Sequence, residues 1–256
     1  MKYVSIDIET SGLDINTCQI LEIGAIVEDC ANRLPFDQLP KLKLTIDRQS
    51  VSGQPYAINM NARIFRLLAA AQDIDDKDER RKFKVQNGIV SEAEAVDALW
   101  NFLYTNGFGE RYQVRLPIGD GYMSFEAYAA AMEFAEGDKS RILIPIKSNK
   151  KQQIKVNVAG KNFSTFDKRF LEAMPGFTDI IRFRRRILDP SILYTDFIFD
   201  AESPSMEKCF SRLGIEHAVA HDAVMDAWDV ICLLRPFYQN YGAIMGLVNP
   251  QMGESH

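Results

Sequence analysis

The chain has 256 residues, 46% of them hydrophobic and 25% charged, with a formal net charge of −5. That is the composition of an ordinary globular protein, with enough chain to bury a sizeable core. No stretch approaches the roughly 20 consecutive apolar residues of a membrane helix, and the opening MKYVSIDIET reads as a strand and not as a signal peptide. A cytoplasmic protein without membrane partners is the expectation. Cys18, Cys30, Cys209 and Cys232 are scattered with no CxxC pair, which argues for reduced thiols over zinc or disulfide frameworks.

In chain order, Tyr3 to Glu9 alternates: Val4, Ile6 and Ile8 share one face, and Ser5, Asp7 and Glu9 the other. Gln19–Val27 and Lys41–Ile46 read as two more strands, so the chain opens with an antiparallel meander. Asn61–Ala71 has helical spacing. Asp73–Lys84 is a charge run, a solvated helix or loop. Ser91 and Glu94 form a capping-box pattern ahead of a helix to about Tyr104, stopped by Asn106-Gly107. Ser124–Glu136 is a further helix. Arg141–Ile146 is an edge strand, since Pro145 cannot donate to a ladder. Gln153–Ala159 is a strand, followed by a turn and helix over Asn162–Ala173 that Pro175-Gly176 ends. Ser205–Leu213 and Asp222–Tyr238 are the last helices, with Asp222 as a cap. This order suits a mixed α/β sheet covered by helices.

Charge is uneven. Lys139 to Arg186 holds thirteen basic residues against Asp167, Glu172 and Asp179, so an acidic chain carries a basic stretch. Tyr112, Tyr122, Phe125 and Tyr128 lie close before it, and single-strand binders combine basic grooves with aromatics.

Asp7 and Glu9, two apart on a strand, point the same way. Adjacent carboxylates repel, and a hard cation such as Mg²⁺ or Mn²⁺ relieves that repulsion. Two later segments bear on them: Asn162-Phe163-Ser164-Thr165-Phe166-Asp167 after a strand, and His221-Asp222-Ala223-Val224-Met225-Asp226 at the start of the last long helix. With Asp-Ile-Glu-Thr at 7–10, these resemble, in order, the three motifs of the DEDDh 3′–5′ exonuclease family, which includes polymerase proofreading subunits, ribonuclease T and oligoribonuclease. The resemblance continues through ILEIGAIVED and DKRFLE. It covers roughly residues 1–30 and 155–240 and is poor between them.

The resemblance implies a ribonuclease H-like fold: a mixed five-stranded sheet flanked by helices, with an insertion between the first and second motifs. It implies one exonuclease domain over 1–240, extra chain at about 105–152 and a tail at 241–256. It implies two ions of Mg²⁺ or Mn²⁺. Asp7 would bridge them, Glu9 and Asp226 would complete one shell, and Asp167 would support the other. His221 would be the general base. Thr10 would sit near the terminal 3′-hydroxyl, Leu13 against the last base, and Asn162 beside the substrate. From the basic stretch and its aromatic neighbours, and not from the resemblance, Lys147, Lys150 and Lys151 are expected to grip the strand. The partner implied is single-stranded nucleic acid with a free 3′ end, and a proofreading role would need a separate polymerase or another replication or repair protein. The alternative is a catalytically silent member that only binds nucleic acid or a polymerase. His217 stands five residues before Asp222 as His221 does before Asp226, but only His221 fits the motif. His256 is terminal. Asp229 reads as a surface charge, Asp189 as structural and Trp228 as core.

Overall fold

The computed structural model describes residues 1–109, 151–218 and 220–239. β1 (Lys2–Thr10), β2 (Ile20–Asp29) and β3 (Lys41–Ile46) form the expected antiparallel meander. β4 (Ile89–Val90) adds in parallel to β3, and β6 (Val158–Ala159) in parallel to β1, giving the order β4-β3-β2-β1-β6. β5 (Ile154–Val156) pairs instead with β7 (Ile181–Phe183) in a two-stranded parallel sheet. The strand expected over Gln153–Ala159 is thus broken at Asn157, whose side-chain amide donates to the carbonyl of Lys2. The result is a mixed five-stranded sheet flanked by helices, as expected.

The alternation along β1 sorts the helices. Val4, Ile6 and Ile8 pack with Ala95, Val96, Leu99 and Leu103 of α4 (Glu92–Leu103), with Phe170 and Leu171 of α5 (Asp167–Ala173), and with Phe177 of α6 (Phe177–Ile180). On the other face Tyr3 and Ile26 meet Val224, Ala227, Val230, Ile231 and Leu234 of α8 (Ala223–Gln239). α1 (Pro55–Met60), α2 (Ala62–Gln72) and α3 (Lys77–Gln86) form the link from β3 to β4, and α7 (Met206–Arg212) precedes the loop into α8.

Local signals explain the boundaries. α4 starts at the Ser91–Glu94 capping box: Ser91 Oγ accepts the Glu94 amide at 3.3 Å, and Glu94 Oε2 accepts the Ser91 amide at 2.8 Å. The charge run is a solvated helix, α3, with no buried residue and capped by Asp76. Asp222 caps α8, its Oδ1 accepting the Val224 amide at 3.1 Å. All four cysteines are free. No helix among the described residues is long and apolar enough to cross a membrane. The helix over Ser124–Glu136, the strand over Arg141–Ile146, most of the 105–152 insertion and the tail at 241–256 lie outside the described residues.

Candidate active site

Asp7 and Glu9 project from β1 on the α8 side, near its C-terminal end. Their neighbours on β2 are Gly24 and Glu22. Gly24 is where α8 touches the sheet: a Cβ there would lie 2.2 Å from the Ala223 carbonyl carbon and 2.4 Å from the Val224 amide nitrogen. Only a residue without a side chain lets the first turn of α8 seat on β2 this closely. That seating carries Asp226 and His221 to Glu9. Ligand atoms of Glu9, His221 and Asp226 lie within 4.8 Å of one another.

Asp167 arrives from the opposite side. As the first residue of α5 it is 3% exposed, and its Oδ1 accepts the amide of Ile8 at 3.1 Å. An open pocket of about 430 Å³ is lined by Asp7, Ile8, Leu13, Asn162, Phe166 and Asp167, among others.

Four carboxylates in one place hold their protons more tightly than usual. Burial, then repulsion from Asp167, Asp226 and Glu9, pushes Asp7 well above its ordinary range. Burial first, and Asp226 second, raises Glu9 to about 7, while the Asn61 side chain pulls it back down. Burial raises Asp167 to about 7, against hydrogen bonds that lower it, and burial raises Asp226 to about 6. Asp226 Oδ1 is buried with no hydrogen-bond partner. Oxygen-rich ligands, an unsatisfied buried carboxylate oxygen and mutual repulsion fit a divalent cation. The residues that would hold it are Asp7, Glu9, Asp167 and Asp226. The His221 imidazole lies inside the same cluster, beside Glu9 and Asp226.

His221 and Asn162 are the two non-glycine residues with positive φ among the described residues, at 49° and 54°. Both border the site, and such backbone persists only where surrounding contacts impose it. At His221 the contact is Arg63, which donates to the His221 carbonyl through Nε at 3.2 Å and Nη2 at 3.0 Å. At Asn162 it is Asp189, whose Oδ2 accepts the Asn162 amide at 2.9 Å. Asp189 is therefore structural, as expected.

The remaining expected residues have definite places. Thr10 is buried and its hydroxyl donates to the Gly12 carbonyl at 2.8 Å. Leu13 is 74% exposed on the pocket rim. Lys151 sits 2.6 Å from Asp97 and over the Trp100 ring. Lys147, Lys150 and His256 lie outside the described residues. Trp228 packs against Phe36, with Arg235 over its ring, as a core residue does.

Asp229 corrects the sequence reading. It is not a surface charge but buried, with Oδ2 2.7 Å from Nε2 of His217. His217 stacks on Phe210 at 4.1 Å and its Nδ1 is buried without a partner. The pair anchors the loop that leads to His221.

Sequence reasoning missed three residues: Glu22, Asn61 and Arg63. Glu22 had a signal, the one acid within the expected strand Gln19–Val27, which burial makes costly without a partner. Asn61 and Arg63 had none, since their helix looked ordinary. Asn61 occupies the position before α2 where an asparagine normally caps a helix. Its amide instead donates to the Thr10 carbonyl at 3.1 Å.

No protein-family model matches the chain, and no curated protein sequence matches it either. Among solved structures, the chain is similar to the crystal structure of cell-death related nuclease 4, at 10% identity and a TM-score of 0.49. The match covers 93% of this chain and 64% of that one, so the chain spans less than two thirds of that structure's length.

Proposed function

We propose that the protein is a divalent-metal-dependent 3′–5′ exonuclease that releases nucleoside 5′-monophosphates from single-stranded nucleic acid. The observation that carries this reading is the meeting of Glu9, Asp226 and His221 at one end of β1, with Asp7 close enough to feel the charges of Glu9, Asp167 and Asp226, and Asp167 braced against the same strand. Mg²⁺ or Mn²⁺ held by the four carboxylates would supply charge neutralisation at the phosphate and a more acidic attacking water.

The chain's own groups do the rest. His221 accepts a proton from the attacking water, for which a neutral imidazole offers a ring-nitrogen lone pair. Glu9 and Asp226 lie beside the imidazole. Asp167 keeps β1 and α5 in register, so that the pocket beside Asp7 stays open to the end of a strand. Leu13 on the rim meets the last base, and Asn162 lines the same pocket beside the substrate. Thr10 shapes the turn beneath them through its bond to Gly12. The charge of the basic stretch holding Lys147, Lys150 and Lys151 favours binding of the anionic strand. Replacing the three lysines with alanine then raises KM and flattens its salt dependence.

The reading is tested by incubating the protein with single-stranded DNA and RNA in Mg²⁺, in Mn²⁺ and in excess chelator. Turnover in metal that stops in chelator supports it. Full turnover in chelator contradicts it.

A further inference from the structure

We propose that Arg63 is a positioning residue for His221: held by Glu22, its guanidinium fixes the backbone turn from which the imidazole enters the carboxylate cluster. The proposal rests on His221 being the general base of the reaction above.

The guanidinium presents a planar fork with two usable edges. One edge grips Glu22 in a bidentate pair, Nη1 to Oε2 at 2.7 Å and Nη2 to Oε1 at 2.5 Å. The other edge, Nε and Nη2, grips the His221 carbonyl. Glu22 is fully buried on β2, so it cannot turn away. Its Oε1 also accepts the amide of Ala223 at 3.2 Å. One carboxylate thus holds the residue after the turn directly and the residue before it through Arg63. His221 and Ala223 bracket the first bend of α8, and both are tied to β2.

Three features set this apart from an ordinary ion pair. First, the φ of His221 is 49°, a conformation that a residue with a side chain adopts only under constraint. Second, Arg63 is the second residue of α2, where the helix dipole disfavours a cation. A local rule is broken at the place where the site needs a donor. Third, charge alone does not explain the residue type. A lysine neutralises Glu22 equally well, and Lys43 already lies 3.4 Å from Glu22 Oε2. A single ammonium cannot reproduce the two-edged grip.

Arg63→Lys is the informative variant, because it keeps a cation beside the buried Glu22. It is compared with the wild type, His221→Ala and the double variant. The readouts are kcat and KM on a single-stranded substrate with Mn²⁺, and the imidazole NMR signals of His217 and His221 at one pH without substrate. The expected result is a fall in kcat of about tenfold or more, since misplacing a reacting group by about 1 Å costs on the order of 10²-fold. KM stays within about twofold. Arg63→Lys adds no further loss in the His221→Ala background, because it acts through that residue. The His221 signal shifts or broadens while that of His217 stays. Wild-type kcat with an unchanged His221 signal overturns the proposal. So does an equal fold-loss in the His221→Ala background, which makes Arg63 act elsewhere. A wild-type chain without turnover contradicts the nuclease reading instead, and the substrate-free NMR comparison then decides the clamp by itself.

Discussion

The amide of Ile8 donates to the carboxylate of Asp167 across 159 residues of sequence, at 3.1 Å and out of contact with water. Asp167 is a brace between β1 and α5, and its charge also acts on Asp7 in the candidate metal cluster. The two roles separate by substitution. Asp167→Asn keeps a carbonyl acceptor for Ile8 and loses the charge. Asp167→Ala loses both and leaves a buried amide unpaired, at about 1–3 kcal/mol. Turnover falls by about 10²–10³-fold or more in each, the cost of removing one electrostatic group from such a site. Only Asp167→Ala lowers the melting temperature markedly. Equal melting temperatures in the two variants contradict the brace.

The carboxylate cluster sets the pH dependence of the metal-free protein. Glu9 and Asp167 titrate at about 7 and Asp226 at about 6 in the fold, with Asp7 also raised. In the unfolded chain such groups titrate near 4. As pH rises from about 4 to about 7, the unfolded chain releases protons that the folded chain still holds, so stability falls. Groups with lowered values, such as Glu94 and Asp222, act below that window. In chelator, the melting temperature at pH 8 is expected to lie below that at pH 5.5 by at least about 4 °C, given about 2–4 °C per kcal/mol for a chain of this size. Saturating Mn²⁺ at pH 8 recovers the difference. Thermal melts in the four conditions check this. A metal-free protein more stable at pH 8 than at pH 5.5 contradicts it.

His217 and His221 differ in what they support. His221→Ala lowers kcat by about 10²–10⁴-fold, the usual contribution of a positioned base, and leaves Mn²⁺ binding within reach of the carboxylates. His217→Ala leaves the buried Asp229 carboxylate without its partner, which costs about 1–3 kcal/mol of stability. Its effect on kcat is smaller and comes through the loop. Paired melts and kinetics of the two variants check the division. A dead His217→Ala enzyme beside an active His221→Ala enzyme reverses the assignment and removes Asp226 from the site.

Gly24 is a packing position with a functional consequence. Gly24→Ala places a Cβ against the backbone of Ala223 and Val224, and no flexible side chain is there to give way. The start of α8 must shift, carrying His221 and Asp226 with it. The expected cost is about 1–3 kcal/mol, the range for overpacking, with a fall in kcat. Chemical denaturation and kinetics measure both. Wild-type kcat in Gly24→Ala contradicts the view that this contact aims the site.

The alternation of Tyr3–Glu9, the Ser91–Glu94 capping box and the phase of the last helix were legible because each is set by neighbours in sequence. They placed Asp7, Glu9 and Asp226 on their elements and His221 just ahead of α8. What escaped depends on tertiary contact. β4 has two residues, too few for a periodic signal. Asp229 looks like a solvated helix position until His217 is seen against it. Arg63 and Asn61 look like any helix start, and their partners lie 158 and 51 residues away. The chain between Gly109 and Lys151 showed little resemblance to any motif, so expectations for Lys147 and Lys150 rested on charge and on the aromatic residues before them.

The most direct test is a product assay on single-stranded DNA and RNA labelled at the 5′ or the 3′ end, with Mn²⁺, and with Asp7→Ala as control. The account predicts a ladder shortening from the 3′ end on the 5′-labelled strand. It predicts immediate release of a labelled nucleoside 5′-monophosphate from the 3′-labelled strand, and neither with Asp7→Ala. Internal fragments as first products, release from the 5′ end, or activity undiminished in Asp7→Ala would contradict it.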